Sequence, residues 1–142
     1  MEKIAIVYWS GTGNTEKMSE FISEGVTGAG AEAVIYTADS FNKGKMSEYS
    51  KIAFGCPSMG DEVLEEDVFE PMFSSIESDL NGKTIALFGS YGWGDGEWMR
   101  IWEERCRDSG AKLISDGVIA NEFPNSQEAS DCKDLGAKLV NA

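Results

Sequence analysis

The 142-residue sequence contains no histidine, three cysteines and three prolines. Without histidine, catalytic sites of the Ser-His-Asp or Cys-His type are excluded, because both use imidazole as the base. Cys56, Cys106 and Cys132 are widely spaced and form no Cys-x-x-Cys pair. We therefore expect no zinc or iron–sulfur site, and three free thiols that are buried or half-buried.

Basic residues are also scarce, since 12 Lys and Arg oppose 25 Asp and Glu and give a net charge of -13. Nucleic acids and anionic membranes are bound through basic patches, so neither is an expected partner. The charge suits a partner protein that offers a basic docking patch. Plain solubility explains the same charge equally well.

Long apolar runs are absent, and none approaches the roughly 20 residues that cross a bilayer. The first residues, MEKIAIVYWS, lack the extended apolar core and cleavage site of a signal peptide. The chain has the length of one ordinary domain and contains no repeat, linker or low-complexity tract. We expect a soluble, cytoplasmic protein with one domain over residues 1–142.

Apolar patterning predicts an alternation of strands and helices. Near-continuous apolar runs, typical of strands covered on both faces, occur at 3–9, 31–37, 51–56, 83–90 and 111–121. Helical spacing predicts helices over about 18–29, 69–80, 98–106 and 129–140, with Ser126 as a candidate cap for the last. The polar crossover at 38–50 has room only for a short helix or turn. The alternation of strands and helices along the chain indicates an α/β fold with a parallel sheet covered by helices.

The loop SGTGNT directly follows the first strand, and ligands of open α/β sheets lie beyond the carboxyl ends of the strands. Gly11 and Gly13 allow the backbone to curl around a ligand, and a helix beginning near Asn14 directs unpaired N–H groups at it. Short polar donors are added by Ser10, Thr12, Asn14 and Thr15. These groups suit one phosphate, although an ordinary helix-capping turn has the same composition.

Two other phosphate motifs do not match this loop. It has no lysine, which a Walker loop requires, and Glu16 stands where the dinucleotide fingerprint needs a small residue. A nucleoside triphosphate is therefore not expected.

Two further loops follow predicted strands and should meet the first at one edge of the sheet. CPSMGDEVLEED combines a soft apolar side chain, a glycine and two carboxylates at Met59, Gly60, Asp61 and Glu62. SYGWGDGEW places Trp93 between Gly92 and Gly94, which leaves the indole free to cover a ligand. A phosphate cradle between a thioether and an indole suits a flat ring system with one phosphate, such as flavin mononucleotide (FMN).

The motifs IVYWSGTGNT, GDEVLEE, FEP and LFGSYGWGDGEWM resemble those of short-chain flavodoxins, the FMN-binding electron carriers of anaerobic bacteria. The resemblance covers essentially the whole chain. It implies a doubly wound, five-stranded parallel sheet in the order 2-1-3-4-5 with helices on both faces. It also implies a monomeric, low-potential one-electron carrier that shuttles between semiquinone and hydroquinone, rather than an enzyme.

The same resemblance assigns roles to individual residues. The loop from Ser10 to Thr15 would hold the phosphate, and Met59 and Trp93 would cover opposite faces of the ring. The Gly60–Asp61 peptide would turn its carbonyl toward flavin N5, and Glu62 would bind near N3. The full implied set of cofactor-binding residues is Ser10, Gly11, Thr12, Gly13, Asn14, Thr15, Ser58, Met59, Gly60, Asp61, Glu62, Ser90, Tyr91, Gly92, Trp93 and Gly94.

We expect nearby acids, rather than the distant surface charge, to lower the flavin potential, namely Asp61, Glu62, Glu65 and Asp95. The main alternative is an NAD(P)H-dependent flavin oxidoreductase on the same fold. It would need a second site for nicotinamide, for which the chain has little spare length, and the net charge repels NADPH. A second alternative is a flavoprotein for metal assembly, but a basic ring environment would favour it and these loops are acidic. A third is a phosphoacceptor receiver domain, which needs an aspartate at the end of the third strand, where the sequence reads FGCPS.

Overall fold

The computed structural model describes residues 1–142 as alternating strands and helices. The strands are β1 Lys3–Tyr8, β2 Glu32–Thr37, β3 Lys51–Gly55, β4 Thr84–Tyr91, β5 Lys112–Leu113 and β6 Val118–Asn121. The helices are α1 Asn14–Gly28, α2 Lys43–Met46, α3 Phe69–Ile76, α4 Glu97–Asp108 and α5 Ser126–Asn141. Short 3₁₀ turns at Ala38–Ser40 and Glu77–Asp79 complete the structure. The crossover at 38–50 thus contains only short elements, as predicted.

The sheet has the order β2-β1-β3-β4-β5, with every pairing parallel. This confirms the predicted order. The predicted fifth strand, however, is divided, because β5 pairs with the start of β4 and β6 with its end. Between them, the Gly117 amide donates to the buried carboxylate of Glu103 on α4, with 2.6 Å from N to Oε2. This contact draws the chain toward α4 and interrupts the strand.

Two apolar layers cover the sheet, one on each face. One layer contains α3 and α4 and includes Phe54, Phe73 and Trp102 among its buried side chains. The other contains α1 and α5, which approach closely because a Cβ at Gly25 or Gly136 would meet the backbone of the opposite helix. The helices on both faces agree with the predicted doubly wound architecture.

The starts of two helices test the capping predictions. Helix α1 begins at Asn14, as expected. The predicted cap Ser126 is instead the first residue of α5, and Asn125 is the N-cap. The Asn125 side chain accepts from the Glu128 amide at 2.8 Å, and Glu128 accepts from the Asn125 amide at 2.9 Å. This reciprocal capping box satisfies two amides at once, which a lone serine cannot do.

All three cysteines are buried and free, as predicted. Burial raises the pKa of both Cys106 and Cys132 to about 12, so neither thiol is reactive at neutral pH. None of the helices combines the length and apolar character that a membrane crossing requires.

Candidate functional site

A cavity of about 270 Å³ lies beyond the carboxyl ends of β1, β3 and β4. The three loops singled out in the sequence contribute to its wall, so the structure brings them together at one sheet edge. The predicted site residues that line it are Gly11, Thr12, Asn14, Ser58, Met59, Ser90, Tyr91 and Gly92. The others, which belong to the same loops but do not line it, are Ser10, Gly13, Thr15, Gly60, Asp61, Glu62, Trp93 and Gly94.

The loop SGTGNT is shaped to present amides to a ligand. Gly13 has a left-handed φ of 97° and precedes α1, and its amide donates to Ser10 Oγ at 3.1 Å. No side chain caps α1. The amides of Asn14 and Thr15 have no acceptor within the chain. Unpaired amides at a helix start, next to a cavity and in a loop without lysine or arginine, fit a single phosphate group.

Thr15 and Ser90 anchor this loop to the sheet. Thr15 is 1% exposed, and its hydroxyl lies 2.8 Å from the Ser90 hydroxyl. The Ser90 amide also donates to Thr15 Oγ1 at 3.3 Å. The start of α1 is therefore fixed against the end of β4, so that the unpaired amides keep their direction.

The second loop forms a tight turn over residues 59–63. Met59 and Val63 exchange two backbone hydrogen bonds of 2.8 and 2.9 Å. Inside the turn, Gly60 and Glu62 have left-handed φ values of 52° and 58°. Such values suit glycine and cost a residue with a Cβ about 1 kcal/mol. The turn projects into solvent, with Met59 on the cavity wall.

Glu62 links this turn to the third loop. Its carboxylate accepts from the Glu97 amide at the start of α4, at 3.0 Å. A Cβ at Gly94 would lie 2.6 Å from the Glu62 carboxyl carbon, and Gly94 has a φ of 88°. Glycine is therefore favoured at position 94 by its φ, and a side chain there would also displace the Glu62 carboxylate. A role for Glu62 at flavin N3 stays a prediction.

Trp93 lies at the tip of the third loop and is 61% exposed. Trp98, by contrast, is 2% exposed and donates its indole N–H to the Cys56 carbonyl. The contrast separates a structural tryptophan from one available to a ligand. Stacking of Trp93 on a ring stays a prediction.

The acids near the cavity are not equivalent. Glu65 is 6% exposed and accepts hydrogen bonds from the amides of Asp67, Val68 and Phe69 at 2.7–2.8 Å. Burial alone would raise its pKa, but the three amides together lower it. The start of α3 therefore stabilises the charged form of Glu65, and its effect on the flavin potential stays a prediction.

The remaining acids differ in their partners. Asp95 forms an ion pair with Arg100 at 3.0 Å, and Glu62 is engaged by the Glu97 amide. Asp61 is exposed and has no hydrogen-bond or ion-pair partner. Asp61 is therefore the least compensated acid of the turn.

Three cavity-lining residues were not predicted as site residues, namely Trp9, Pro57 and Glu122. Glu122 follows β6 and has a left-handed φ of 58°, and its amide donates to the Tyr91 carbonyl at 2.8 Å. The rule that ligands lie beyond strand ends also applies to the fifth strand. Applied there, it would have identified Glu122.

A doubly wound parallel sheet with an uncharged, amide-rich loop after its first strand defines an α/β protein that binds a phosphorylated cofactor at the sheet edge. Comparison with known proteins makes this assignment specific. The flavodoxin family model matches residues 6–136. Flavodoxins of Clostridium beijerinckii and Megasphaera elsdenii are each 44% identical, covering 96% and 98% of this chain and 98% and 99% of their own.

Solved structures agree with these sequence comparisons. The solution structure of two-electron reduced Megasphaera elsdenii flavodoxin superposes with a TM-score of 0.91 at 45% identity, covering 98% of this chain and 99% of its own. Oxidised flavodoxin 1 from Bacillus cereus gives 0.87 at 27% identity, covering 99% and 98%. The chain belongs to the flavodoxin family. It is an FMN-binding electron-transfer protein rather than an enzyme, which confirms the resemblance seen in its motifs.

Proposed function

We propose that the chain is a low-potential one-electron carrier in which the cavity at the sheet edge holds FMN. In this proposal the SGTGNT loop binds the phosphate, and Met59 and Trp93 cover the two faces of the ring. FMN supplies the redox chemistry, and the protein supplies position and electrostatics. The observation that carries the proposal is the uncapped start of α1, where the amides of Asn14 and Thr15 lack acceptors beside the cavity.

The residues of the 59–63 turn are suited to adjusting the potential. Gly60 has a left-handed φ, which glycine adopts at no steric cost, and no atom lies within 4 Å of the place where a Cβ would stand. The adjacent Asp61 carries an uncompensated charge. A carboxylate about 10 Å from a second negative charge raises its energy by roughly 1.7 kcal/mol at an effective dielectric of about 20. This corresponds to an upper limit of about 70 mV per electron, which screening at exposed Asp61 reduces.

Removal of the exposed indole tests the ring assignment. Trp93→Ala should weaken the binding of both FMN and riboflavin about tenfold, because stacking involves the ring that both ligands share. Ile101→Ala, at a 55% exposed apolar residue on α4 outside the cavity, is the matched control and should bind both ligands normally. Flavin fluorescence titration measures both affinities. Unchanged affinities in Trp93→Ala would contradict the assignment.

We also propose that the carrier works as a cytoplasmic, single-domain monomer whose partners are redox proteins with basic docking patches. Nucleic acids and membranes are not proposed partners. The net charge of -13 supports docking to a basic patch, because it steers the carrier toward a positively charged surface. Electron delivery to such a partner should slow as salt rises, because ions screen the attraction. Stopped-flow rates that do not depend on salt would contradict docking by charge.

A further inference from the structure

Trp9 connects the first strand to the phosphate loop, and its indole is half-buried. It packs against the apolar layer that contains α3 and α4. Its backbone amide donates to the Gly55 carbonyl at 3.0 Å, which extends the pairing of β1 with β3 by one residue. The indole lines the cavity at the sheet edge on one side and a second cavity of about 340 Å³ on the other. Trp9 is thus a wall fixed by both backbone and core.

Gly11 lies directly against this wall. A Cβ at Gly11 would stand 3.0 Å from Cη2 and 3.3 Å from Cζ3 of the Trp9 indole, closer than ordinary van der Waals contact. Gly11 is not among the glycines with a left-handed φ. Its backbone therefore does not require glycine, and the only steric reason for glycine is the ring.

Gly13, two residues later, presents the opposite case. It has a φ of 97°, and a Cβ there would meet nothing within 4 Å. Glycine is required at this position by the backbone alone. Glycine is thus needed at the two positions for different reasons, so only Gly11 should respond to a change at Trp9.

We propose that Trp9 is a positioning residue of the phosphate site, on whose indole the SGTGNT loop rests at Gly11. The proposal rests on the assignment of the FMN phosphate to this loop. The contact holds the loop backbone at the depth where its amides, with those at the start of α1, meet one phosphate. A side chain at Gly11 lifts the loop from the indole and turns the amides away from the phosphate.

A double-mutant cycle tests this proposal, with FMN and riboflavin as probes in fluorescence titrations of the flavin-free protein. Gly11→Ala should weaken FMN binding about tenfold and riboflavin binding much less, because the loop contacts only the phosphate. Trp9→Phe, which shortens the ring, should weaken FMN binding in the natural background by a smaller factor. In the Gly11→Ala background the same change should restore affinity, so its effect reverses sign.

Gly13→Ala is the matched control. It should weaken FMN binding through its backbone, and Trp9→Phe should bring no recovery. Circular dichroism of each variant checks that the fold is retained. Unchanged FMN affinity in Gly11→Ala, or a loss that Trp9→Phe does not relieve, would overturn the role of Trp9. Equal losses for FMN and riboflavin would instead show that the loop does not hold the phosphate, which overturns the underlying assignment.

Discussion

The buried carboxylate of Glu65 offers a prediction whose size follows from its contacts. Oε1 accepts from the amides of Val68 and Phe69, and Oε2 accepts from the amide of Asp67. In Glu65→Gln, an amide nitrogen replaces one oxygen and faces an N–H group, so one charge-assisted hydrogen bond worth about 2 kcal/mol is lost. The other bonds become neutral and weaken by about 1 kcal/mol together. We expect a loss of about 3 kcal/mol in the free energy of unfolding.

Urea denaturation at neutral pH, followed by circular dichroism at a fixed FMN concentration, measures this loss. Glu66→Gln is the matched control, because Glu66 is the exposed neighbour and has no hydrogen bond or ion pair. It should change stability by less than about 0.5 kcal/mol. A loss below about 1 kcal/mol in Glu65→Gln would refute the reasoning that the carboxylate holds the start of α3.

The pH dependence of the same difference is a second check. The folded pKa of Glu65 is lower than its ordinary value of 4.5, because three amides favour the charged form more than burial disfavours it. The stabilisation is therefore fully present above the unfolded pKa and is lost as the pH falls through the folded pKa. The difference between the protein and Glu65→Gln should be constant near neutrality and shrink below about pH 4.5. A difference that stays constant in acid would contradict the assignment.

Three other changes have defined outcomes. Arg105→Lys should lower the free energy of unfolding, measured by urea denaturation, by about 1.5 kcal/mol, because lysine cannot reproduce the paired bonds of 2.7 and 2.8 Å to Glu70. An unchanged free energy would mean that solvent already screens the pair. Gly60→Ala should move the two one-electron midpoint potentials toward each other, each by about 40 mV per kcal/mol of backbone strain. Unchanged potentials would show that Gly60 does not tune them. Asp61→Asn should raise the lower potential more than Asp95→Asn, since Arg100 already compensates Asp95; equal shifts would contradict the ranking.

The fold was predictable where local patterns determine it. Near-continuous apolar runs located the strands, and the loop SGTGNT located the start of α1 at Asn14. The division of the last strand was not predictable, because it depends on the contact between Gly117 and Glu103, which are distant in sequence. The choice of Asn125 over Ser126 as the cap was also unresolved by pattern, because both residue types favour that position.

The site was predictable only to the extent that its residues follow strands. That rule brought the three loops together correctly, because the carboxyl ends of parallel strands share one edge. It could not show that Glu65 is engaged by the amides of α3, since a carboxylate near a site looks the same in sequence whether it is free or bonded. Nor could the rule show that the Trp9 indole leaves no room for a side chain at Gly11, because that depends on a distance in the folded loop.

Backbone amide NMR during titration with FMN and then with riboflavin tests most directly whether SGTGNT holds the phosphate. We predict that FMN shifts the amides of residues 10–15, 58–62 and 91–94, and that riboflavin shifts the last two groups while leaving residues 10–15 nearly unchanged. Equal shifts of residues 10–15 with both ligands, or the largest shifts around the second cavity at residues 37–39, would contradict the account.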